Sequence, residues 1–585
     1  MILLIFILRK IIIFMKNEEI AKIFYDIALF LQMKDENVFK IRAYEKAAQA
    51  IESFPTDIEL LYKKGGVDAL QELPGIGKAI AEKIEELIKT GRLKTFDRLK
   101  KEIPVDIDGL RRIEGVGPRK ILILYKKLGI KSAANLEKAA KQGKISRLSG
   151  FGEKSQENIL KGIEFLKKTK GRYLLGRIMP LALDIEGRLK KLDFVRKAVI
   201  AGSFRRRKET VGDIDILAIS DKPEKVMDFF VKMPEVINVY GKGKTKTMVL
   251  LSNGIGADLR VVPEKSYAAA LNYFTGSKDH NVALRRIAIQ KKMKLSEYGL
   301  FKEGKNTSGH DEKSLYNALG LKYIEPELRE NTGEIESAMQ DKLPNLIKYR
   351  SLKGDLQTQT KYTDGSHTIE EMALAAKSYG LEYIAITDHT KALAMVNGLN
   401  EKNLAKQGKE IDMLNKKLKG IRILKGAEVN ILKNGKLDIK DSCLKELDIV
   451  GAAVHGSFNQ SKQEMTRRII TAIENEHVDI LFHPTCRLIG KRPAIQLDIE
   501  KIIDTAKTTG TVLEIDAMLN RLDLKDEHIK MAVKAGVKLA IDTDAHNMHQ
   551  FSFLELGIAQ ARRGWAEKKD IINAWPLKKM MKMIK

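Results

Sequence analysis

The sequence predicts a multidomain protein in which helical domains are followed by an α+β domain and then by an α/β domain. Apolar residues recur at helical spacing up to about residue 170. Short β-rich runs are mixed with helices between 171 and 325. From about residue 350, short apolar runs alternate with amphipathic helices, which is the βα pattern of a barrel or a parallel sheet.

Length and charge agree with several domains and a polyanionic partner. A chain of 585 residues is too long for one hydrophobic core. Its 104 basic and 77 acidic residues give a formal charge of +27, which favours nucleic acid. Cys443 and Cys486 cannot build a disulfide framework, which fits a reducing compartment. We therefore expect a cytoplasmic, nucleoid-associated monomer that does not contact a membrane.

The apolar start, MILLIFILRKIIIF, is interrupted by Arg9 and Lys10 and is too short to cross a bilayer. Because an ordinary amphipathic sequence begins at Met15, we interpret the first residues as a misassigned start or a disordered leader. The predicted segments are the leader (1–14), two helical domains (15–95 and 96–170), an α+β domain (171–325), a linker (326–350) and an α/β domain (351–585).

Three stretches of the helical half share a G-x-G pattern before a helix: LPGIGKAIAEKI, IEGVGPRKILIL and LSGFGEKSQENIL. Glycines allow a tight turn, after which the N–H groups of the next helix can point at a phosphate. One copy would as readily be a plain helix end, but three copies in a basic region predict helix-hairpin-helix motifs that bind the DNA backbone without reading bases. The glycines concerned are Gly75, Gly77, Gly115, Gly117, Gly150 and Gly152.

The stretch AGSFRRRKETVGDIDILAIS, at 201–220, carries the strongest chemical signal. Asp213 and Asp215 alternate along a predicted strand, so both carboxylates lie on one face. A third acid, Asp258, lies in another short strand, and Gly202 with Ser203 ends the strand before. A D-x-D alone is usually solvated surface, but beside a Gly-Ser turn and arginines it suits two Mg²⁺ ions and a triphosphate.

This arrangement resembles the nucleotidyltransferase superfamily, and YFTGSKDHN at 273–281 resembles the family X DNA polymerases in particular. NVFKIRAYEKAAQAI and GIGKAIAEKIEELIKTGRL resemble the lyase domain of that family. The resemblance covers 15–325. It implies a nucleotidyltransferase palm that uses deoxynucleoside triphosphates to fill short gaps in gapped or nicked DNA during base excision repair.

The resemblance also implies roles for individual residues. Asp213, Asp215 and Asp258 would hold two Mg²⁺ ions, and Asp258 would help to activate the primer 3′-hydroxyl. Lys278 stands where the animal enzyme has an acid. The residues expected to bind the nucleotide, or to contact nucleotide and template, are Gly202, Ser203, Arg206, Tyr273, Phe274, Gly276, Asn281 and Arg285.

Lys83 matches the family's Schiff-base lysine, which implies 5′-deoxyribose-phosphate lyase activity. The alternative is a lysine on a helix surface. Lys40, Tyr44 and Lys78 are expected beside it as DNA contacts, while Ala79 stands where the family has a phosphate-binding lysine.

Most of the ten histidines lie after residue 366, and several end predicted strands. Such a series at successive strand ends indicates a metal site. It resembles the polymerase-and-histidinol-phosphatase (PHP) domain, a distorted βα barrel, which implies a trinuclear site for Mn²⁺ or Zn²⁺ and 3′–5′ exonuclease or phosphoesterase activity. The candidate ligands are Asp364, His389, Glu428, His455, His483, Asp544 and His546.

The family's D-L-H-x-H opening reads Asp-Leu-Gln-Thr-Gln here, at 355–359. Gln357 and Gln359 replace both histidines, and an amide is a poor ligand for transition metals. We therefore expect an intact barrel that keeps some metal but has weak or absent exonuclease activity. Arg487 and Arg492 could bind a DNA phosphate.

Three alternatives follow from the same residues. A non-templated or RNA-end nucleotidyltransferase would not need the three hairpins or the lyase-like segment. A DNA-end-binding scaffold would not need all three carboxylates. A phosphatase with a DNA-binding polymerase half would need the histidines that Gln357 and Gln359 replace.

Overall fold

The computed structural model describes residues 17–53, 58–73, 75–111, 113, 116–169 and 171–584. The predicted leader and the predicted DNA contact Gly115 lie outside these ranges. The chain divides into two compact units. The first comprises the described residues up to 169 with 490–493, and the second comprises 171–489 and 494–584.

The described part of the first unit is helical, as its sequence predicts. Apolar residues at helical spacing make one face of each helix apolar, and this face packs into a shared core. In the first helix, for example, Ile20, Phe24 and Ile27 are fully buried. The helices are α1 (Asn17–Met33), α2 (Val38–Ser53), α3 (Ile58–Gln71), α4 (Lys78–Thr90), α5 (Lys94–Glu102), α6 (Ile107–Arg111), α7 (Pro118–Leu128), α8 (Ala133–Lys141) and α9 (Glu153–Thr169).

The first part of the second unit is built on a mixed sheet with the strand order β2-β4-β7-β6-β5. The central strands β4 and β7 run parallel. Buried and accessible side chains alternate along β7 and at the start of β4, whose last four residues are all buried. The elements are β1 (Tyr173–Leu174), α10 (Leu175–Lys190), β2 (Lys197–Ile200), α11 (Gly202–Arg205), β3 (Thr210–Val211), β4 (Asp213–Ile219), α12 (Pro223–Val231), β5 (Val236–Lys242), β6 (Lys246–Leu251), β7 (Gly256–Val262), α13 (Tyr267–Thr275), α14 (Lys278–Gln290), β8 (Met293–Ser296), β9 (Gly299–Lys302), β10 (Lys305–Asn306), α15 (Glu312–Ala318) and α16 (Glu334–Met339).

The segment 326–350, expected as a linker, is packed rather than loose. Arg329 is fully buried, and its Nη1 donates to Glu312 at 2.6 Å. Glu327 accepts hydrogen bonds from Tyr349 at 2.8 Å and from Arg562 at 2.8 Å. A buried charge is costly unless it is paired, so these pairs fix the course of the segment.

The last part of the chain forms a parallel sheet in which neighbouring strands follow the chain order from β11 to β17. A parallel bridge between Thr358 and Ala545 joins its two ends, so the sheet is a nearly closed barrel, as predicted. The elements are β11 (Gly354–Thr358), α17 (Ile369–Ser378), β12 (Tyr383–Ile386), α18 (Glu401–Lys417), β13 (Arg422–Asn430), α19 (Asp441–Leu444), β14 (Ile449–Ala453), α20 (Lys462–Ile473), β15 (Ile480–Leu481), α21 (Ile499–Thr509), β16 (Val512–Asp516), α22 (Asp526–Ala535), β17 (Leu539–Asp542), α23 (Leu554–Arg563) and α24 (Leu577–Met580).

Within the described ranges, no helix combines the length and the apolar character needed to cross a membrane.

Candidate functional site

Three carboxylates meet on the central strands of the mixed sheet. Asp215 in β4 lies directly opposite Asp258 in the parallel strand β7, and Asp213 precedes Asp215 on the same face. Burial raises the pKa of Asp215 to about 7, and the charges of Asp213 and Asp258 add to this effect. Burial also raises the pKa of Asp258, although Lys246 partly opposes it from 3.8 Å. Carboxylates with this excess of negative charge fit divalent cations.

Gly202 lies against this cluster. Strand β2 ends at Ile200, so Gly202 and Ser203 begin the short helix α11 rather than ending a strand, as the sequence had predicted. Gly202 has a φ of +58°, and a Cβ there would lie 2.0 Å from Oδ2 of Asp215. The main-chain N–H of Ala201 donates to the carbonyl oxygen of Asp215 at 2.7 Å. The turn therefore fits closely around one carboxylate, which only glycine allows.

Arg206 follows α11, and neighbouring residues hold its guanidinium. Its Nε donates to Oε1 of Glu330 at 3.0 Å, and its Nη1 donates to the carbonyl oxygen of Thr275 at 2.5 Å. A Cβ on Gly276 would lie 2.9 Å from Nη1. The structure thus brings together Arg206 and Gly276, which the sequence predicts as nucleotide-binding residues.

Tyr273 and Phe274 lie at the end of α13. Their ring centroids are 5.1 Å apart in an edge-to-face arrangement. The guanidinium of Arg260 lies 4.5 Å from the centroid of Phe274. Arg260 is two residues after Asp258 in β7 and shares its face, so it connects the carboxylate cluster to the aromatic pair.

Asn281 is less open than its predicted role suggests, whereas Arg285 is accessible. Asn281 is buried, and its Nδ2 donates to the carbonyl oxygen of Tyr273 at 2.7 Å. Arg285 is exposed, and its Nε donates to the carbonyl oxygen of Asn281 at 3.3 Å. Asn281 therefore holds the end of the helix that carries Tyr273.

The three hairpins of the first unit share one turn. In each, the main-chain N–H of the apolar residue between the glycines donates to a carbonyl oxygen three residues earlier, at 3.1, 3.1 and 2.9 Å. These apolar residues, Ile76, Val116 and Phe151, are buried. A Cβ on Gly77, Gly117, Gly150 or Gly152 would meet open space.

Gly77 and Gly117 are the N-caps of α4 and α7, without a side-chain cap bond. The first N–H groups of these helices are thus available to an anion. At Gly75, which has a φ of +87°, a Cβ would lie 3.4 Å from Cβ of Lys46.

The predicted lyase residues have different surroundings. The Nζ of Lys83 donates to the carbonyl oxygen of Ala79, one turn earlier in α4, at 2.9 Å. Lys40 is exposed and pairs with Glu36 at 3.4 Å, and Lys78 is exposed at the start of α4. Tyr44 is buried, with its ring 5.9 Å from that of Phe24. The structure therefore places Tyr44 in the core rather than at the surface, where a DNA contact was expected.

The polar strand ends of the barrel meet at one edge. Asp364, His389 and His546 present one possible ligand atom each within 4.8 Å of one another, and so do His389, Glu428 and His455. Oδ1 of Asp364 is buried without a hydrogen-bond partner among the described residues. Both groups of side chains fit a transition-metal cation.

Glu428 lies at the centre of this edge. Its Oε1 is 2.9 Å from Nε2 of His455 and 2.8 Å from Nε2 of His483. Burial opposes its ionisation, but His389 and His455 outweigh it and hold the pKa of Glu428 well below its usual range. Burial also disfavours the charged form of His546 and so lowers its pKa, but the carboxylates of Asp544 and Asp364 outweigh this and raise the pKa to about 10.

Arg487, expected to be able to bind a DNA phosphate, is occupied by the protein. Its Nη2 donates to Oε2 of Glu209 at 2.7 Å and to the carbonyl oxygen of Leu522. Because Glu209 lies before β3, this pair joins the barrel to the first part of its own unit. In the structure Arg487 thus makes this contact within the protein instead of the expected contact with a DNA phosphate.

Sequence reasoning missed several residues that shape the sites. Glu514 and Asp516 in β16 follow the same rule of polar strand ends that identified the histidines, so that signal could have found them. Arg260 and Arg521 were also missed. The contacts of Glu330 and Arg563 with Arg206 join segments 124 and 357 positions apart, and no local pattern marks them.

Family models match four segments of the chain. A model described as helix-hairpin-helix domain matches residues 15–93, and one described as SAM-like helix-hairpin-helix tandem matches 107–164. A model described as DNA polymerase beta thumb matches 270–330, and one described as PHP domain matches 355–516.

Curated relatives cover the whole chain or parts of it. The chain is 39% identical over 575 residues to the DNA polymerase/3′-5′ exonuclease PolX of Bacillus subtilis (strain 168), which covers 98% of this chain and 100% of that protein. It is 28% identical over 322 residues to DNA polymerase lambda of Arabidopsis thaliana, covering 49% and 57% of the two chains. It is 35% identical over 204 residues to a probable phosphatase of Thermoanaerobacter sp. (strain X514), and this match covers 33% of this chain and 78% of that protein.

Proposed function

We propose that this protein fills short gaps in duplex DNA during repair. The chain belongs to the family X DNA polymerases that carry a C-terminal PHP domain, and it is thus a DNA-directed DNA polymerase. One observation carries the proposal. Asp213, Asp215 and Asp258 form a three-carboxylate cluster on adjacent parallel strands, with a glycine turn against it and a held arginine nearby.

The family implies divalent cations, and we propose that Asp213, Asp215 and Asp258 hold two Mg²⁺ ions. When bound, these ions would stabilise the charge that develops on the transferred phosphoryl group. Asp258 is more basic than an ordinary aspartate because burial raises its pKa. It is thus suited to take the proton of the primer 3′-hydroxyl as that oxygen bonds to the α-phosphorus and pyrophosphate leaves with the bridging oxygen.

The nucleotide would lie between the arginine and the aromatic pair. Contacts to Glu330 and Thr275 fix the guanidinium plane of Arg206, which leaves its Nη2 for a phosphate oxygen. Tyr273, 38% exposed, offers an accessible ring face for the deoxyribose. A 2′-hydroxyl would crowd the same ring, so we propose that this pair selects deoxynucleotides.

The hairpins of the first unit would bind the DNA backbone. The uncapped helix starts at Gly77 and Gly117 offer N–H groups to phosphates, and the chain's charge of +27 adds a sequence-independent attraction. We propose gapped or nicked duplex as the substrate, deoxynucleoside triphosphates as the second substrate, and a monomer at the nucleoid.

We further propose that Lys83 supplies a 5′-deoxyribose-phosphate lyase activity. A Schiff base requires the neutral amine. In the structure the Nζ of Lys83 donates to its own helix, so the side chain would have to turn away from Ala79 to reach a sugar.

A one-nucleotide gap with a labelled primer tests the polymerase function. With Mg²⁺ and the four deoxynucleotides, we expect extension by one template-directed nucleotide. Replacing Asp258 with Ala should abolish extension and leave DNA binding nearly unchanged, since the hairpins lie in the other unit. Extension without a template, or full extension by Asp258→Ala, would contradict the assignment.

A further inference from the structure

Gln357 in β11 and Gln359, directly after that strand, are both fully buried at the edge of the barrel that carries the candidate ligands. Nε2 of Gln359 donates to Oε2 of Glu428 at 2.7 Å. A metal ligand would have to turn its amide oxygen towards the shared ion. Gln359 instead presents a donor to the carboxylate, which is the interaction that an ion would otherwise make.

Gln357 likewise presents its amide nitrogen to a second carboxylate, that of Glu514. With its amide oriented to satisfy its polar atoms, the nitrogen lies 2.5 Å from Oε1 and 3.3 Å from Oε2 of Glu514. Glu514 is fully buried, and a buried carboxyl group is costly unless hydrogen-bonded. The amide of Gln357 meets that need without a cation.

A protein cation completes this part of the barrel. The guanidinium Nε of Arg521 lies 3.3 Å from Oδ2 of Asp516 and 3.7 Å from Oδ2 of Asp544. Both aspartates are buried. Arg521 therefore places a positive charge beside both acids, while Oδ2 of Asp516 and Oδ1 of Asp544 have no hydrogen-bond partner among the described residues.

We propose that Gln357, Gln359 and Arg521 replace a metal ion in this barrel with the chain's own donors, so that the barrel binds two cations rather than three. A third cation would have to displace the nitrogen of Gln359 from Glu428 and lie near the charge of Arg521. The buried Oε1 of Gln359, which has no partner among the described residues, is a single neutral oxygen and too weak to hold a transition metal by itself.

Two other positions each keep a set of three possible ligands. One is formed by Asp364, His389 and His546, and the other by His389, Glu428 and His455. Nε2 of His483 lies 2.8 Å from Oε1 of Glu428, beside the second set. Their mixed imidazole and carboxylate ligands suit Mn²⁺ or Zn²⁺. This inference concerns the barrel and does not depend on the polymerase activity.

Crystals of the full-length wild-type protein soaked in Mn²⁺ give a direct test by anomalous diffraction. We expect two anomalous peaks in the barrel, one at each position, and none within coordination distance of Gln357 and Gln359. Peaks at the polymerase carboxylates are distinguished by their place in the other sheet. A third barrel peak beside the glutamines would overturn the proposal.

A solution measurement tests the role of Arg521. Arg521→Gln removes the guanidinium beside Asp516 and Asp544, so Mn²⁺ should take its place. Adding Mn²⁺ at about 100 times its Kd to chelator-treated protein should raise the Tm of Arg521→Gln by about 5–10 °C more than that of wild type.

Arg468 offers a matched control in the same barrel. It is also buried, but its guanidinium donates to the carbonyl oxygens of Ile431, Leu432 and Gly456 and to Gln460 rather than to carboxylates. Arg468→Gln should lose stability without any extra response to Mn²⁺. An equal Mn²⁺ response of Arg521→Gln and wild type would contradict the proposal, and the diffraction test decides it if Arg521→Gln does not fold.

Discussion

Arg563 in α23 of the barrel donates from Nη1 to the main-chain carbonyl oxygen of Arg206, 2.8 Å away. The same Nη1 lies 3.1 Å from Oε1 of Glu330, which accepts from Nε of Arg206 at 3.0 Å. The other end of the Arg563 guanidinium donates to Asp526 in α22 at 2.5 Å. Arg563, a barrel residue, thus holds Arg206, the residue proposed to bind the triphosphate. It does so through the backbone of Arg206 and through Glu330, the ion-pair partner of Arg206.

We therefore predict that Arg563→Gln weakens nucleotide binding although Arg563 does not touch the nucleotide. Loss of its contacts should free Glu330 and Arg206 to move. We expect the KM for the incoming deoxynucleotide to rise about 3- to 10-fold, corresponding to about 0.7–1.4 kcal/mol, with a smaller change in kcat. Steady-state kinetics on a one-nucleotide gap measure this.

Arg562 provides the control, since it is adjacent, also buried, and pairs with Glu327 and the carbonyl oxygen of Ile347 instead. Arg562→Gln should lower the Tm and leave the KM unchanged. Equal KM values for both variants would show that Arg563 has only a structural role.

Gly202→Ala should reduce catalysis sharply. The new Cβ would lie 2.0 Å from Oδ2 of Asp215, at a φ of +58° that disfavours alanine. We expect kcat on gapped DNA to fall by about 100-fold, a barrier increase of about 2.7 kcal/mol. Gly187→Ala in α10, where a Cβ meets open space, should leave kcat unchanged, and a normal kcat for Gly202→Ala would contradict the geometry.

The Mg²⁺ requirement should depend on pH through Asp215. Its pKa of about 7 lies above the ordinary 3.8, so the proton competes with the cation below pH 7 and not above it. The Mg²⁺ concentration for half-maximal activity should rise about tenfold per pH unit below 7 for one competing proton. Titrations between pH 5.5 and 8.5 measure this, and a requirement that is flat across pH 7 would exclude it.

DNA binding should weaken steeply with salt and depend little on sequence. Lysines and hairpin amides contact phosphates, so binding releases counterions without reading base edges. Fluorescence anisotropy between 50 and 200 mM salt should show about a 1000-fold loss of affinity if about six phosphates are contacted. A strong preference between duplexes of equal length but different sequence would argue against backbone binding.

Lys83 should form a covalent adduct on an incised abasic site if it is the lyase nucleophile. Borohydride should then trap wild type but not Lys83→Ala, because reduction fixes the Schiff base at that amine. Lys78→Ala is the matched control, since Lys78 lies in the same helix and is expected only to bind DNA. Equal trapping of wild type and Lys83→Ala would show that Lys83 is not the lyase nucleophile.

The sequence predicted the elements whose signal is local. Alternation placed Asp213 and Asp215 on one face, and the turn of each G-x-G hairpin follows from its glycines. The strand-end rule found the histidines of the barrel, because the carboxyl ends of successive parallel strands must meet at one edge. It did not reveal that Tyr44 is buried, since one aromatic residue on a helix carries no sign of which face it occupies.

The sequence by itself therefore determined the order of the domains, the three carboxylates and the loss of two histidines from the barrel. Only the tertiary structure decided what replaces those histidines. Hydrogen bonding and ion pairing act over a few ångströms in space, whereas Glu428 lies 69 positions after its partner Gln359 and Arg563 lies 357 after its partner Arg206. No pattern within a short window can reveal partners that only folding brings together.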